Sequence, residues 1–269
     1  MQKNKQIKKI AAVGDIHVKE DDRGKWVEYF RRISDEADIL LLCGDVTDTG
    51  HIIEAEILAK ELKNCTIPVI GILGNHDYER GMHKEVKKIL ENDNVFFLDG
   101  QAKVLNGIGF AGVKGFGGGF DKYALSMFGE NAMKAFVQEV VDDALKLDRA
   151  LSYLDVEYPG IPKIVMTHYA PIKETIQGEP PEIWPFLGSS RLLHPIETRD
   201  VIAAFHGHAH IGVLQATSPK GVKIFNVAKP VLEKMGYFGP YIFEIHGNDE
   251  EMKIIPVKSG PHFVKERPN

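Results

Sequence analysis

Short apolar runs alternate with stretches whose apolar positions recur at helical spacing, and this alternation sets the expected architecture. The runs 7–13, 38–43 and 67–73 read as strands, and 24–37, 51–63 and 79–91 as the helices between and after them. Residues 39–43 contain no polar position, so both faces of that strand should be covered. In 51–63, Ile53, Ile57, Leu58 and Leu62 fall on one helical face. Strand, helix, strand in repetition predicts a parallel sheet, with the loops of interest at the carboxyl ends of its strands.

From 95 to 113 the pattern shortens to strands with turn signals, Asn106-Gly107 marking a hairpin, and a long helix is predicted over 130–154. A strand at 162–167 opens the second half. The runs 201–205, 213–217, 223–227, 241–245 and 252–257 predict a mixed or antiparallel second sheet. Between them, 169–190 is irregular, with Pro171, Pro180, Pro181, Pro185 and Trp184, and is long enough for a functional loop or lid. No repeat or linker separates the halves. The chain therefore reads as one domain over 1–257, an α/β fold of two packed sheets with helices outside, followed by a tail at 258–269.

Composition narrows the partners. With 43% hydrophobic and 26% charged residues among 269, the chain can bury a large core. Thirty-three Lys and Arg against 38 Asp and Glu leave no basic field, so nucleic acid is not an expected partner. The apolar stretch 10–13 is too short for a signal-peptide core, and no run approaches a membrane span. Cys43 and Cys65 sit in or beside apolar runs, as reduced buried thiols do, and a cytoplasmic location without membrane contact is expected. Self-association is left open.

The chemistry lies at the strand ends. The first three strands exit into Gly14-Asp15-Ile16-His17, Gly44-Asp45-Val46-Thr47-Asp48 and Gly74-Asn75-His76-Asp77; 162–167 exits into His168, and 201–205 into His206-Gly207-His208-Ala209-His210. On extended chain, residues two apart point the same way, so Asp15 with His17, and His208 with His210, can address one point. Carboxylate, imidazole and amide oxygen without thiolate suit Mn, Fe or Zn. Asp15, His17, Asp45, Asn75, His168, His208 and His210 are more ligands than one ion takes, and two ions sharing a carboxylate would use them.

In order and spacing, Asp-x-His, Gly-Asp-x-x-Asp, Gly-Asn-His-Asp, a lone His and Gly-His-x-His resemble the calcineurin-like metallophosphoesterase family, over residues 10–212. The resemblance implies a four-layer α/β/β/α sandwich of two mixed β-sheets flanked by helices, with a dinuclear centre at the strand ends. Asp15, His17 and His210 would hold one ion, and Asn75, His168 and His208 the other. Asp45 would bridge them. His76 would face the substrate as the catalytic residue, and Asp48 and Asp77 would support the loops, Asp77 by holding the His76 ring. The implied activity is phosphoester hydrolysis by in-line attack of a bridging hydroxide. A small phosphodiester is the preferred substrate, a phosphomonoester the alternative and a scaffold without turnover the weaker one.

Gly107-x-Gly109-x-x-Gly112 fits a dinucleotide fingerprint literally, but it falls in the hairpin region and is rejected. The stretch 115–119 reads as a flexible glycine loop beside the site. Ser189-Ser190-Arg191 could meet a phosphate or simply cap a helix. His206 competes with His208 as a ligand and reads as supporting it.

Overall fold

The computed structural model describes residues 8–248 and 251–257; the expectations for 1–7 and for the tail 258–269 lie outside the described residues. Its first sheet is built on strands β1 (Lys8–Val13), β2 (Ile39–Cys43), β3 (Val69–Ile72) and β4 (Val95–Phe97), all parallel. All five residues of β2 are buried, as its unbroken apolar run demands. Helices α1 (Val27–Glu36) and α2 (Ile52–Glu61) make the crossovers between β1, β2 and β3. The helix expected over 79–91 is α4 (His83–Leu90), which starts later than expected, and a separate short helix α3 (Asn75–Tyr78) precedes it. Gly81, at φ 69°, lies between them. That left-handed residue ends a helix, and an apolar period cannot register it.

The second sheet holds β5 (Ala102–Leu105), β6 (Ile108–Val113), β7 (Lys163–Thr167), β8 (Val201–His206), β9 (Gln215–Thr217) and β10 (Lys223–Asn226), in spatial order β5-β6-β7-β8-β10-β9. Its four central strands are parallel and its two edges antiparallel. Asn106 and Gly107 both have positive φ, at 52° and 78°, as the type I′ turn joining β5 to β6 requires. Helix α5 (Asn131–Glu157) carries the chain from β6 to β7. Short helices α6 (Trp184–Leu187) and α7 (Leu193–Thr198) precede β8, and α8 (Lys229–Lys234) follows β10.

The closing hairpin, β11 (Tyr241–Asn248) and β12 (Glu251–Val257), is not in the second sheet as expected. It extends the first, β11 running antiparallel to β1 with Ile10 opposite Phe243. Without β11, β1, whose residues Ile10 to Val13 are apolar and buried, would present an unpaired edge. Period-two patterning specifies a strand but not which sheet receives it.

Alternation along the second sheet separates two cores. Phe110, Ile164, Met166, Phe205 and Phe225 face the first sheet, and the rings of Phe205, Phe225 and Phe243 lie 4.6–5.2 Å apart between the sheets. Ala111, Val113, Val165, Ala204 and Ile224 face Val140, Leu147, Leu151 and Leu154 of α5 and Ile196 of α7. Four layers result, helices outside two mixed sheets. The carboxyl ends of β1, β2, β3, β7 and β8 open on one edge.

Candidate metal centre

Three of those five strands, β1, β2 and β8, release their polar residues through left-handed kinks. Asp15, His17, Asp45 and His208 have φ of 56°, 45°, 48° and 68°. The left-handed region costs a non-glycine residue roughly 1–3 kcal/mol, and such residues cluster where side chains must be aimed. The expected convergence of Asp15 with His17 on extended chain is thus replaced by kinks. Two glycines permit the close approach. A Cβ on Gly74 would strike the Asp45 carboxylate and His168, and one on Gly207 would strike Asp15.

The kinks bring the candidates together. Asp15, His17 and His210 offer ligand atoms within 4.8 Å of one another; so do Asp45, His168 and His208, and so do His17, Asp45 and His76. Asn75 joins through its Oδ1, 2.9 Å from His168 Nε2. Asp45 belongs to two of the three groups and lies 3.9 Å from His17 and 3.3 Å from His168 through the same oxygen.

Hydrogen bonds fix which ring nitrogens are available. His168 donates Nδ1–H to the Cys43 carbonyl at 3.0 Å, which turns Nε2 toward Asn75 Oδ1 and Asp45 Oδ2. Three acceptor atoms at such distances demand a positive charge between them, as an ion or a proton supplies. His208 donates Nε2–H to the Phe186 carbonyl at 3.1 Å, leaving Nδ1 with its lone pair. His76 donates Nδ1–H to the Asp48 carbonyl at 2.6 Å. Both ring nitrogens of His17 are buried without a hydrogen-bond partner. Buried polar atoms rarely go unsatisfied, and these two face the carboxylates of Asp48 at 3.6 Å and Asp45 at 3.9 Å. The donor set fits divalent metal.

The charged groups of the site act strongly on one another. Burial raises the Asp45 carboxyl, but the charges of His168 and His76 outweigh it and hold the group well below the carboxylate range. Burial opposes charge on His168 too, yet Asp45 pushes it up to about 9. Burial and the charge of His168 bring His208 down to about 4, and burial lowers His17. The hydrogen bond to Asp15 at 3.0 Å raises His210.

Asp77 does not hold the His76 ring, as its place in the motif suggested. It is fully buried and accepts from the backbone N–H groups of Val46, Thr47 and Gly74 and from the Thr47 hydroxyl. The loop after β2 is thereby locked to the loop after β3. Asp48 is the residue that orients His76, through its backbone carbonyl. His206 is buried beside the site, donating Nδ1–H to the Gly207 carbonyl and accepting from the Thr175 hydroxyl.

The lid-like stretch is packed in place. Tyr169 lies over His208, ring centroids 4.3 Å apart. The glycine loop is bonded to it, Gly118 N–H to Pro185 and Gly119 N–H to Gly188. Ser189-Ser190-Arg191 staples these loops: the Ser190 hydroxyl accepts from Asp121 N–H, and Arg191 donates to the Leu125 carbonyl. Gly109 and Gly112 lie within strand β6, so the dinucleotide reading fails on structure too. Sequence reasoning missed Tyr169 and the carbonyls of Cys43, Asp48 and Phe186. The tyrosine had a signal in its adjacency to His168, whereas a carbonyl that orients an imidazole has none, every residue having one.

With this geometry in hand, the comparisons with known proteins are direct. The family model described as calcineurin-like phosphoesterase matches residues 8–212, and the chain belongs to that family of metal-dependent phosphohydrolases. A protein of Fibrobacter succinogenes named "Probable cyclic nucleotide phosphodiesterase" is 28% identical over 112 residues, 36% of this chain and 44% of that protein. Among solved structures, the phosphopantetheinyl hydrolase of Mycobacterium tuberculosis superposes with a TM-score of 0.62 at 12% identity, covering 96% of this chain and 98% of that one. Purple acid phosphatase PPD1 of yellow lupin gives 0.58 at 12% identity, with 98% and 53% covered. At these identities the structures speak for the fold alone. No helix among the described residues is long and apolar enough to cross a membrane.

Proposed function

We propose that the chain hydrolyses small phosphodiesters with two divalent ions, of the Mn, Fe or Zn kind, held at the five strand ends. Asp15, His17 and His210 would hold one ion, Asn75, His168 and His208 the other, and Asp45 would serve both. The observation that carries this reading is the sharing of Asp45 between ligand groups beside a half-buried His17 whose two inward ring nitrogens make no hydrogen bond and face Asp45 and Asp48. When bound, such ions neutralise phosphoryl oxygens and lower the pKa of water.

The chain's own residues do the rest. Asp77 and Thr47 keep two ligand-bearing loops in register, and Tyr169 keeps water from the inner side of His208. His76, its side chain 37% exposed and its Nδ1 committed to Asp48, presents Nε2 to the open site. There it can give a proton to the departing oxygen or balance charge on the phosphoryl group. A diester carries one negative charge, which suits surroundings as poor in cations as the segments flanking this site. The relative named as a cyclic nucleotide phosphodiesterase supports the same preference.

The test is turnover of bis(p-nitrophenyl) phosphate by the purified chain with Mn(II), stopped by chelation and restored by readdition. Failure to turn over across Mn, Fe, Co, Ni and Zn, with metal demonstrably bound, would favour a scaffold.

A further inference from the structure

Exposed large apolar side chains concentrate beside the proposed metal centre. Tyr123, Met127, Phe128 and Met133 are 77%, 46%, 85% and 37% exposed, and Ile183 and Phe186 are 39% and 58% exposed. They belong to two segments, 115–133 and 169–190, joined by the hydrogen bonds from Gly118 to Pro185 and from Gly119 to Gly188. The Phe136 ring, one turn beyond Met133 on α5, lies 5.9 Å from that of Phe186. Phe186 borders the site directly, because its carbonyl is the group that holds His208. Single exposed apolar residues need no explanation, but a contiguous set bordering a reactive centre marks a binding surface.

Charge narrows what covers it. The two segments carry two lysines, Lys122 and Lys173, against five acids, Asp121, Glu130, Glu174, Glu179 and Glu182. Lys173 is bonded to Asp121, and Lys122 lies 5.0 Å over the Tyr123 ring. Of the two cations that border the segments, Lys114 donates to the Gly115 carbonyl and Arg191 to the Leu125 carbonyl, so acids outnumber cations along the patch and a polyphosphate or nucleic acid strand is poorly matched to it. An uncharged apolar group would lose nothing.

We infer that the substrate is a phosphodiester with an extended apolar substituent, its phosphate at the strand ends and its chain lying along Phe186, Phe128, Met127 and Met133. This rests on the phosphodiesterase reading above and adds the substituent. Each methylene fully buried on such a surface raises binding roughly fourfold, so a partly covered chain still gives a large cumulative effect.

The experiment compares methyl, butyl and decyl p-nitrophenyl phosphodiesters, which share a leaving group, below their aggregation concentrations with the Mn(II)-loaded chain. The expected result is a kcat/KM at least tenfold higher for decyl than for methyl, and a decyl-to-methyl ratio flattened severalfold in the Met127→Ser, Phe128→Ser double variant. Calorimetric titration with decyl phosphate and methyl phosphate should show the same order of binding. Equal kcat/KM along the series would overturn the inference and leave the phosphodiesterase standing. No turnover of any ester would overturn both. Sedimentation showing a dimer that the double variant dissociates would assign the patch to a second copy, and binding of the chain to neutral lipid vesicles, lost in the double variant, without a chain-length effect would assign it to a membrane. Either would overturn the inference.

Discussion

The Thr47 hydroxyl donates to the carboxylate of Asp77 at 2.5 Å, joining residues 30 positions apart across the mouths of two parallel strands. That carboxylate also gathers three backbone N–H groups. Burial, reinforced by the charge of Asp45, nevertheless pushes the Asp77 carboxyl up to about 6. Asp77→Ala strands those donors in the interior, each at about 1–3 kcal/mol, and should destabilise the fold by about 3 kcal/mol after relaxation. It should also weaken metal affinity by about 10–100-fold, the usual effect of losing a group that orients ligands. Denaturant titration and competition with a metal indicator check the two effects separately.

If two ions are held as proposed, Asp45→Ala should remove both at once. One Asp45 oxygen lies 3.9 Å from His17 and 3.3 Å from His168, so its loss takes a ligand from both proposed sites. Elemental analysis of the purified variant showing two ions per chain would refute the sharing, provided circular dichroism shows the sheets intact.

His76 separates two chemical roles. If it protonates the departing oxygen, His76→Asn should depress kcat/KM more for an alkyl than for an aryl leaving group, because a phenolate leaves unaided. The expected loss is about 10²–10⁴-fold on the alkyl ester and smaller on the aryl one. Equal losses, with metal content unchanged, would leave only charge balance on the phosphoryl oxygens.

Phe205→Ala should cost about 3–5 kcal/mol, since its ring is fully buried between the sheets against Phe225 and Phe243. The midpoint of thermal unfolding checks it, and metal occupancy measured below that midpoint should be retained.

Much of this was readable before any coordinates. The β1–α1–β2 pattern, the hairpin at Asn106-Gly107 and the run of acids and imidazoles at strand exits all rest on local regularities, and those survive in a one-dimensional string. What escaped was non-local or carried by backbone. Nothing in residues 241–245 says that they pair with Ile10 rather than with a strand of the other sheet. The φ of Asp15 and His208 is set by the groups they must meet, not by their own preferences, so extended geometry was the natural and mistaken expectation. The resemblance gives Asp77 a loop-supporting role, which its hydrogen bonds to Val46, Thr47 and Gly74 carry out, but also a hold on the His76 ring, which it lacks. Its true partners lie a loop away.

The pairing of β11 with β1 ties the two ends of the described chain into one ladder, Ile10 opposite Phe243. A ribosome releases Asp15 and His17 early, but the strand that carries them cannot complete its ladder until Phe243 has emerged. The second sheet, by contrast, needs nothing synthesised after β10. Folding on the ribosome should therefore finish at the oldest segment, with the first metal-ligand candidates made being the last secured, and a nascent chain stalled before β11 would hold its second sheet while leaving β1 unclosed.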